Sequence, residues 1–110
     1  MRCIYFVNRW PIRDFSSAHE RILSLMGTLI NKNYGVSVVC LNPDIHTEDV
    51  DQLPIEMIEM TGDRLPKLPP ATIAVFDSYR TANFVSEELY TRHNKLIHVL
   101  QLQEGLQGLR

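Results

Sequence analysis

The chain has 110 residues, of which 45% are apolar and 22% charged, and a net charge of −2 at pH 7. That length allows one domain with a core of its own, and the apolar-to-charged balance excludes disorder. The Lys and Arg residues form no cluster or stripe, which argues against nucleic acid as a partner. The longest apolar runs, such as residues 36–41, fall far short of the roughly 20 residues that span a bilayer.

Cys3 and Cys40 fall in predicted buried strands. Their spacing makes neither a disulfide framework nor a metal site, so they read as inert core thiols in a reducing compartment. Met1 passes almost directly into an apolar run, with no basic leader, and a signal peptide is not expected. The expected location is the cytoplasm, with the mitochondrial matrix as the alternative.

Residues 3–7 (Cys-Ile-Tyr-Phe-Val) are continuously apolar, as a strand buried on both faces requires. Asn8-Arg9-Trp10-Pro11 ends that strand and a polar loop follows. Ser17 and Glu20 have the spacing of a capping box, and Ile22, Leu23, Met26, Leu29 and Ile30 then recur at helical period. Gly35 is the expected positive-φ residue past the helix end. Residues 36–41 form a second buried strand and complete a strand-helix-strand unit. After a turn at residues 42–44, residues 46–52 suggest a short acidic helix, and residues 55–60 a weakly alternating edge strand. Residues 61–70 contain Gly62, Pro66, Pro69 and Pro70, which exclude a regular helix. Residues 72–76 are a further buried strand, residues 81–93 a second helix, and residues 95–101 a last strand. The predicted fold is α/β, a three-layer parallel sheet of likeliest order 3-2-1-4-5 with helices on both faces. Ligands of such sheets bind beyond the carboxyl ends of the strands, where the connections diverge. That rule nominates residues 8–17, 77–80 and 101–104, including Arg80 and Glu104.

Arg9, Arg13, Ser16 and Ser17 precede a helix start, where free N–H groups and two guanidinium groups suit an anion. A capped helix after a solvated loop is the plainer reading. The loop has no glycine, so neither dinucleotide nor Walker A fingerprints are present. Asp77 ends a strand and reads either as a general base or hydroxyl ligand or, preferably, as the cap of the next helix. His19 lies on the first helical turn within reach of the same crevice; it and Asp77 are the weak catalytic candidates. The four histidines lack zinc-ligand spacing, and no metal is expected. A phospho-acceptor receiver would need acids where Asn8-Arg9 and Thr61 stand, and a thioredoxin-like module would need Cys-x-x-Cys.

The opening Met1-Arg-Cys-Ile-Tyr-Phe-Val, the Pro-containing loop, Ser17-Ala-His-Glu-Arg-Ile-Leu-Ser-Leu and Tyr34-Gly-Val-Ser-Val-Val-Cys resemble the start of GT-B-fold glycosyltransferases of the family 4 type. The second half runs from Ile73-Ala-Val-Phe-Asp-Ser-Tyr through Phe84-Val-Ser-Glu-Glu-Leu-Tyr to Val99-Leu-Gln-Leu-Gln-Glu-Gly-Leu-Gln-Gly-Leu-Arg. It is similar to a glycosyltransferase-like subgroup with an "FDRF…F…LRxLDTxDLHxLR" pattern. Asp77 and Arg110 match that pattern; Ser78 replaces an Arg, and Gln101 with Gln103-Glu104-Gly105 stands where the subgroup has acids ending in a His. The resemblance implies a partial, Rossmann-like N-terminal domain that contacts the acceptor. It implies no cofactor within this chain, since a sugar nucleotide is held by a second domain or partner. It also implies a protein partner covering the truncated sheet. The alternative expectation is a non-catalytic structural or accessory subunit of a larger assembly, possibly organellar.

Overall fold

The apolar runs form strands because their side chains are buried on both faces of one sheet. In a computed structural model, which describes residues 1–12, 15–43, 52–60, 62, 64–92 and 97–100, the elements are β1 (Arg2–Val7), α1 (Ser17–Asn31), β2 (Gly35–Cys40), β3 (Glu56–Glu59), β4 (Ile73–Phe76), α2 (Tyr79–Arg92) and β5 (Ile97–Leu100). β1 pairs in parallel with both β2 and β4, β2 with β3, and β4 with β5, so the strands lie in the order β3-β2-β1-β4-β5. The expected α/β class with a parallel sheet is therefore present. Successive side chains of a strand point to opposite faces, and the core divides accordingly. Cys3, Tyr5 and Val7 pack with Ile22 and Met26 of α1; Ile4 and Phe6 pack with Val85 and Leu89 of α2.

Both ends of α1 differ from the sequence expectation. Its N-cap is Ser16, whose hydroxyl accepts the N–H of His19 at 3.2 Å, so the cap lies one residue before the Ser17 of the predicted capping box. Ser17 is already the first helical residue. At the other end Asn33, not Gly35, takes the positive φ (66°). The N–H of Tyr34 donates to the Leu29 carbonyl and that of Asn33 to the Ile30 carbonyl, both at 3.0 Å, the Schellman pattern. Gly35 instead begins β2, where an added Cβ would come within 3.2 Å of the Arg2 guanidinium. That close approach lets Arg2 Nη1 donate to Ser37 Oγ at 2.8 Å, while Ser37 donates to Glu56 Oε1 at 2.7 Å. Ser37, fully buried within an apolar strand, is thereby satisfied.

α2 begins at Tyr79, two residues before the predicted start, because Ser78 is its cap. The Ser78 hydroxyl accepts from the Thr81 N–H at 3.3 Å and its carbonyl from the Ala82 N–H at 3.0 Å. The preferred reading of Asp77 as this cap is thus corrected. β3 is at the sheet edge, as expected. Between β3 and β4, residues 64–72 carry no helix and bury Leu65 and Leu68 against the α2 face. The predicted helix at residues 46–52 falls almost wholly outside the described residues, as do Arg13 and Glu104.

Candidate functional site

The central strand and its neighbour leave the sheet side by side, Asn8-Arg9 after β1 and Asp77-Ser78 after β4. The chain runs from β1 to the helix on one face and from β4 to the helix on the other. A gap opens where the two connections part. It holds a cavity of about 370 Å³ lined by Asn8, Arg9 and Asp77 from the strand ends, Ala18, His19 and Ile22 from α1, and Ser78, Tyr79 and Arg80 from the start of α2.

Asp77 lines this cavity from the end of β4. Its backbone N–H continues the ladder to the Phe6 carbonyl at 3.1 Å, which fixes where its side chain emerges. The residue is only 6% exposed. Its Oδ2 accepts the Asn8 N–H at 2.9 Å, which locks one carboxylate oxygen to the β1 exit. The other oxygen, Oδ1, is buried without a hydrogen-bond partner. A carboxylate oxygen taken out of water and left unpaired is costly, and such costs concentrate at functional sites. Beneath it, burial first, then the charge of Asp77 and then Cys3, raise the Tyr5 phenol above its ordinary value, so Tyr5 stays neutral.

His19 stands across the cavity with its tautomer set by the backbone. Its Nδ1 accepts the N–H of Ile12 at 2.9 Å. A main-chain N–H can only donate, so Nδ1 is unprotonated and the neutral ring carries its proton on Nε2. The ring also lies against Phe15, with centroids 4.8 Å apart. His19 in this state offers a hydrogen-bond donor, not a base. Ser78, the hydroxyl nearest Asp77 in sequence, is engaged as a cap and lies 3.2 Å from Thr81 Oγ1. The cavity thus presents an acceptor at Asp77, a neutral donor at His19 and guanidinium groups at Arg9 and Arg80, but no nucleophile paired with a base.

Of the residues nominated from sequence, Asp77, His19, Arg9 and Arg80 meet at this one cavity. Ser16 is committed to capping, and Ser17 is exposed and outside the lining. Arg13 and Glu104 lie outside the described residues. Sequence reasoning spanned Asn8 and Tyr79 without singling them out. Asn8 acts through its backbone N–H, which no residue type reveals, and Tyr79 is marked only by being an aromatic residue left 55% exposed at a helix start. Among the described residues no group of three or more His, Cys, Asp or Glu is placed to hold a metal, and no helix is long and apolar enough to cross a membrane. Comparison of the chain with protein-family profiles, with curated proteins and with solved structures gives no match in any of the three.

Proposed function

We propose that this chain is the Rossmann-like, acceptor-side half-domain of a GT-B-type, glycosyltransferase-like protein, and that it binds a hydroxyl-rich ligand in the crevice between β1 and β4. The observation carrying this reading is the buried, unpartnered Oδ1 of Asp77, a residue that lines the cavity. A sugar or polyol hydroxyl donates to such an oxygen in a charge-assisted hydrogen bond, and His19 Nε2–H supplies a donor to a second oxygen of the same ligand. The role assigned to these residues is binding and orientation. Transfer would require a sugar nucleotide held by another domain or by a partner chain, in a reducing compartment such as the cytoplasm.

The reading is tested by titrating the 15N-labelled protein with glucose and glucose 1-phosphate while following amide shifts. We expect shifts at Asn8, His19 and Asp77. Asp77→Asn keeps an oxygen for the Asn8 N–H but removes the charge, and should weaken binding by about ten- to hundredfold. Absence of binding, or equal binding by Asp77→Asn, refutes the reading.

A second reading, a non-catalytic accessory subunit, draws on Phe15, Tyr79 and Phe84, which are 66%, 55% and 55% exposed beside the strand exits. Exposed aromatic residues are enriched where protein partners seat. A monomer by sedimentation that nevertheless binds sugar in the Asp77-dependent way would count against it.

A further inference from the structure

A second cavity, also about 370 Å³, lies by the exits of β1 and β2. Asn8, Arg9, Asn42, Arg80 and Thr81 make up most of its lining, which is therefore polar. Asn8 and Asn42 hold one wall in place. The Asn42 N–H donates to the Asn8 carbonyl at 2.9 Å, and Asn42 Nδ2 donates to Asn8 Oδ1 at 2.6 Å. An amide nitrogen carries two hydrogens, so Asn42 keeps a donor beyond that bond. Thr81 is 1% exposed, and its hydroxyl lies 3.2 Å from Ser78 Oγ. When the Ser78 hydroxyl donates in this pair, the Thr81 proton is left for a ligand. Arg80 stands exposed in the first turn of α2, and among the described residues it forms no ion pair.

From this donor set we infer that the second cavity is a phosphate site, taking the group either as the free ion or as a monoester. The assignment goes beyond the ligand proposed for the first cavity and does not depend on it. Guanidinium forks match phosphate oxygens in geometry and charge, and the Asn42 and Thr81 hydrogens add neutral donors around them. A phosphate monoester is close to a dianion at pH 7, so it draws on both Arg9 and Arg80, whereas a carboxylate brings one charge. The first cavity is the poorer place for such a group. Asp77 lines that cavity and does not line the second, and a carboxylate beside a phosphate is repulsive.

Inorganic phosphate, methyl phosphate and acetate, each titrated into the 15N-labelled full chain at constant ionic strength, test the assignment. Both phosphates should shift the amides of Asn42, Arg80 and Thr81, and acetate should bind about tenfold more weakly. Tighter binding of methyl phosphate identifies a monoester as the ligand, tighter binding of inorganic phosphate the free ion, and equal binding recognition of the phosphate group alone. Arg80→Gln should weaken both phosphates about tenfold, and Arg80→Lys, which keeps the charge but loses the fork, by less. Absence of phosphate binding, acetate bound as tightly as phosphate, shifts confined to His19 and Asp77, or affinity unchanged in Arg80→Gln overturns the site. Glucose is read separately. A glucose response without a phosphate response removes only this site, and a phosphate response without a glucose response removes only the polyol reading.

Discussion

Cys3 and Tyr5 point to the same face of β1, and neither has any exposed surface. Burial pushes the Cys3 thiol from 9.0 up to about 11, and burial with the Asp77 charge raises the Tyr5 phenol. Both groups keep their protons in the fold at pH values where the unfolded chain has lost them. Stability from this source is complete below the unfolded pKa values, 9.0 for the thiol and 10.0 for the phenol. It falls as pH rises, because the native state then binds more protons than the unfolded one. The urea midpoint should therefore decline from about pH 9. Cys3→Ala should flatten the part of the decline between pH 9 and 11, and Tyr5→Phe the part at higher pH. A midpoint equally pH-dependent in wild type and both variants would show that neither group is the source.

At the scale of elements, the helix ends decide how α1 presents His19 to the cavity. Ser16→Ala removes the acceptor of the His19 N–H and should cost about 1 kcal/mol, whereas Ser17→Ala, on the exposed first turn, should change stability by less than about 0.5 kcal/mol. At the other end Asn33→Ala places a Cβ-restricted residue at φ 66° and should cost about 1 kcal/mol or more, while Asn33→Gly should be tolerated. Chemical denaturation of the four variants checks the order; equal loss from Ser16→Ala and Ser17→Ala would contradict the observed cap. These ends also show what the sequence makes legible. The buried strands and the apolar stripe of α1 are written in runs and periods that few other structures fit. The caps are not, because Ser16 and Ser17 both suit an N-cap, and Asn33 and Gly35 both tolerate positive φ. The choice rests on which turn lets Ile22 and Met26 reach the sheet. Asp77 and Ser78 pose the same ambiguity. Either caps a helix, and only the pairing of Phe6 with Phe76 brings Asp77 beside Asn8. The second cavity, lined by Asn8, Arg9, Leu41, Asn42, Gly62, Arg80, Thr81 and Phe84, is legible only in part: the strand-exit rule reaches Asn8, Arg9 and Arg80, whereas Leu41, Gly62 and Phe84 are distant in sequence and share no motif.

For the molecule as a whole, the connection from β3 to β4 has to carry the chain from the sheet edge to the far side of β1 without the helix that usually covers such a crossing. Pro66, Pro69 and Pro70 keep it extended, and Leu65 and Leu68, each 7% exposed, fill the place a helix would take. They join the cluster that contains Val85, Leu89 and the stacked rings of Phe6 and Phe76, 5.2 Å apart. The Leu65 N–H donates to Glu88 Oε1 at 3.1 Å, which ties this segment to α2. Leu68→Ala should therefore cost about 2–4 kcal/mol, a large share of the 5–15 kcal/mol typical of a domain. Glu88→Ala, which leaves a backbone N–H without its acceptor, should cost about 1 kcal/mol, and Glu88→Gln much less. Gly62 precedes the segment and lines the second cavity, whereas the first is built from α1, the strand exits and the start of α2. Loosening the crossover while the protein remains folded should thus spare Asp77-dependent binding of glucose 1-phosphate in the first cavity. Loss of that binding in Leu68→Ala, with the circular dichroism spectrum unchanged, would mean that the first cavity depends on the crossover for its support.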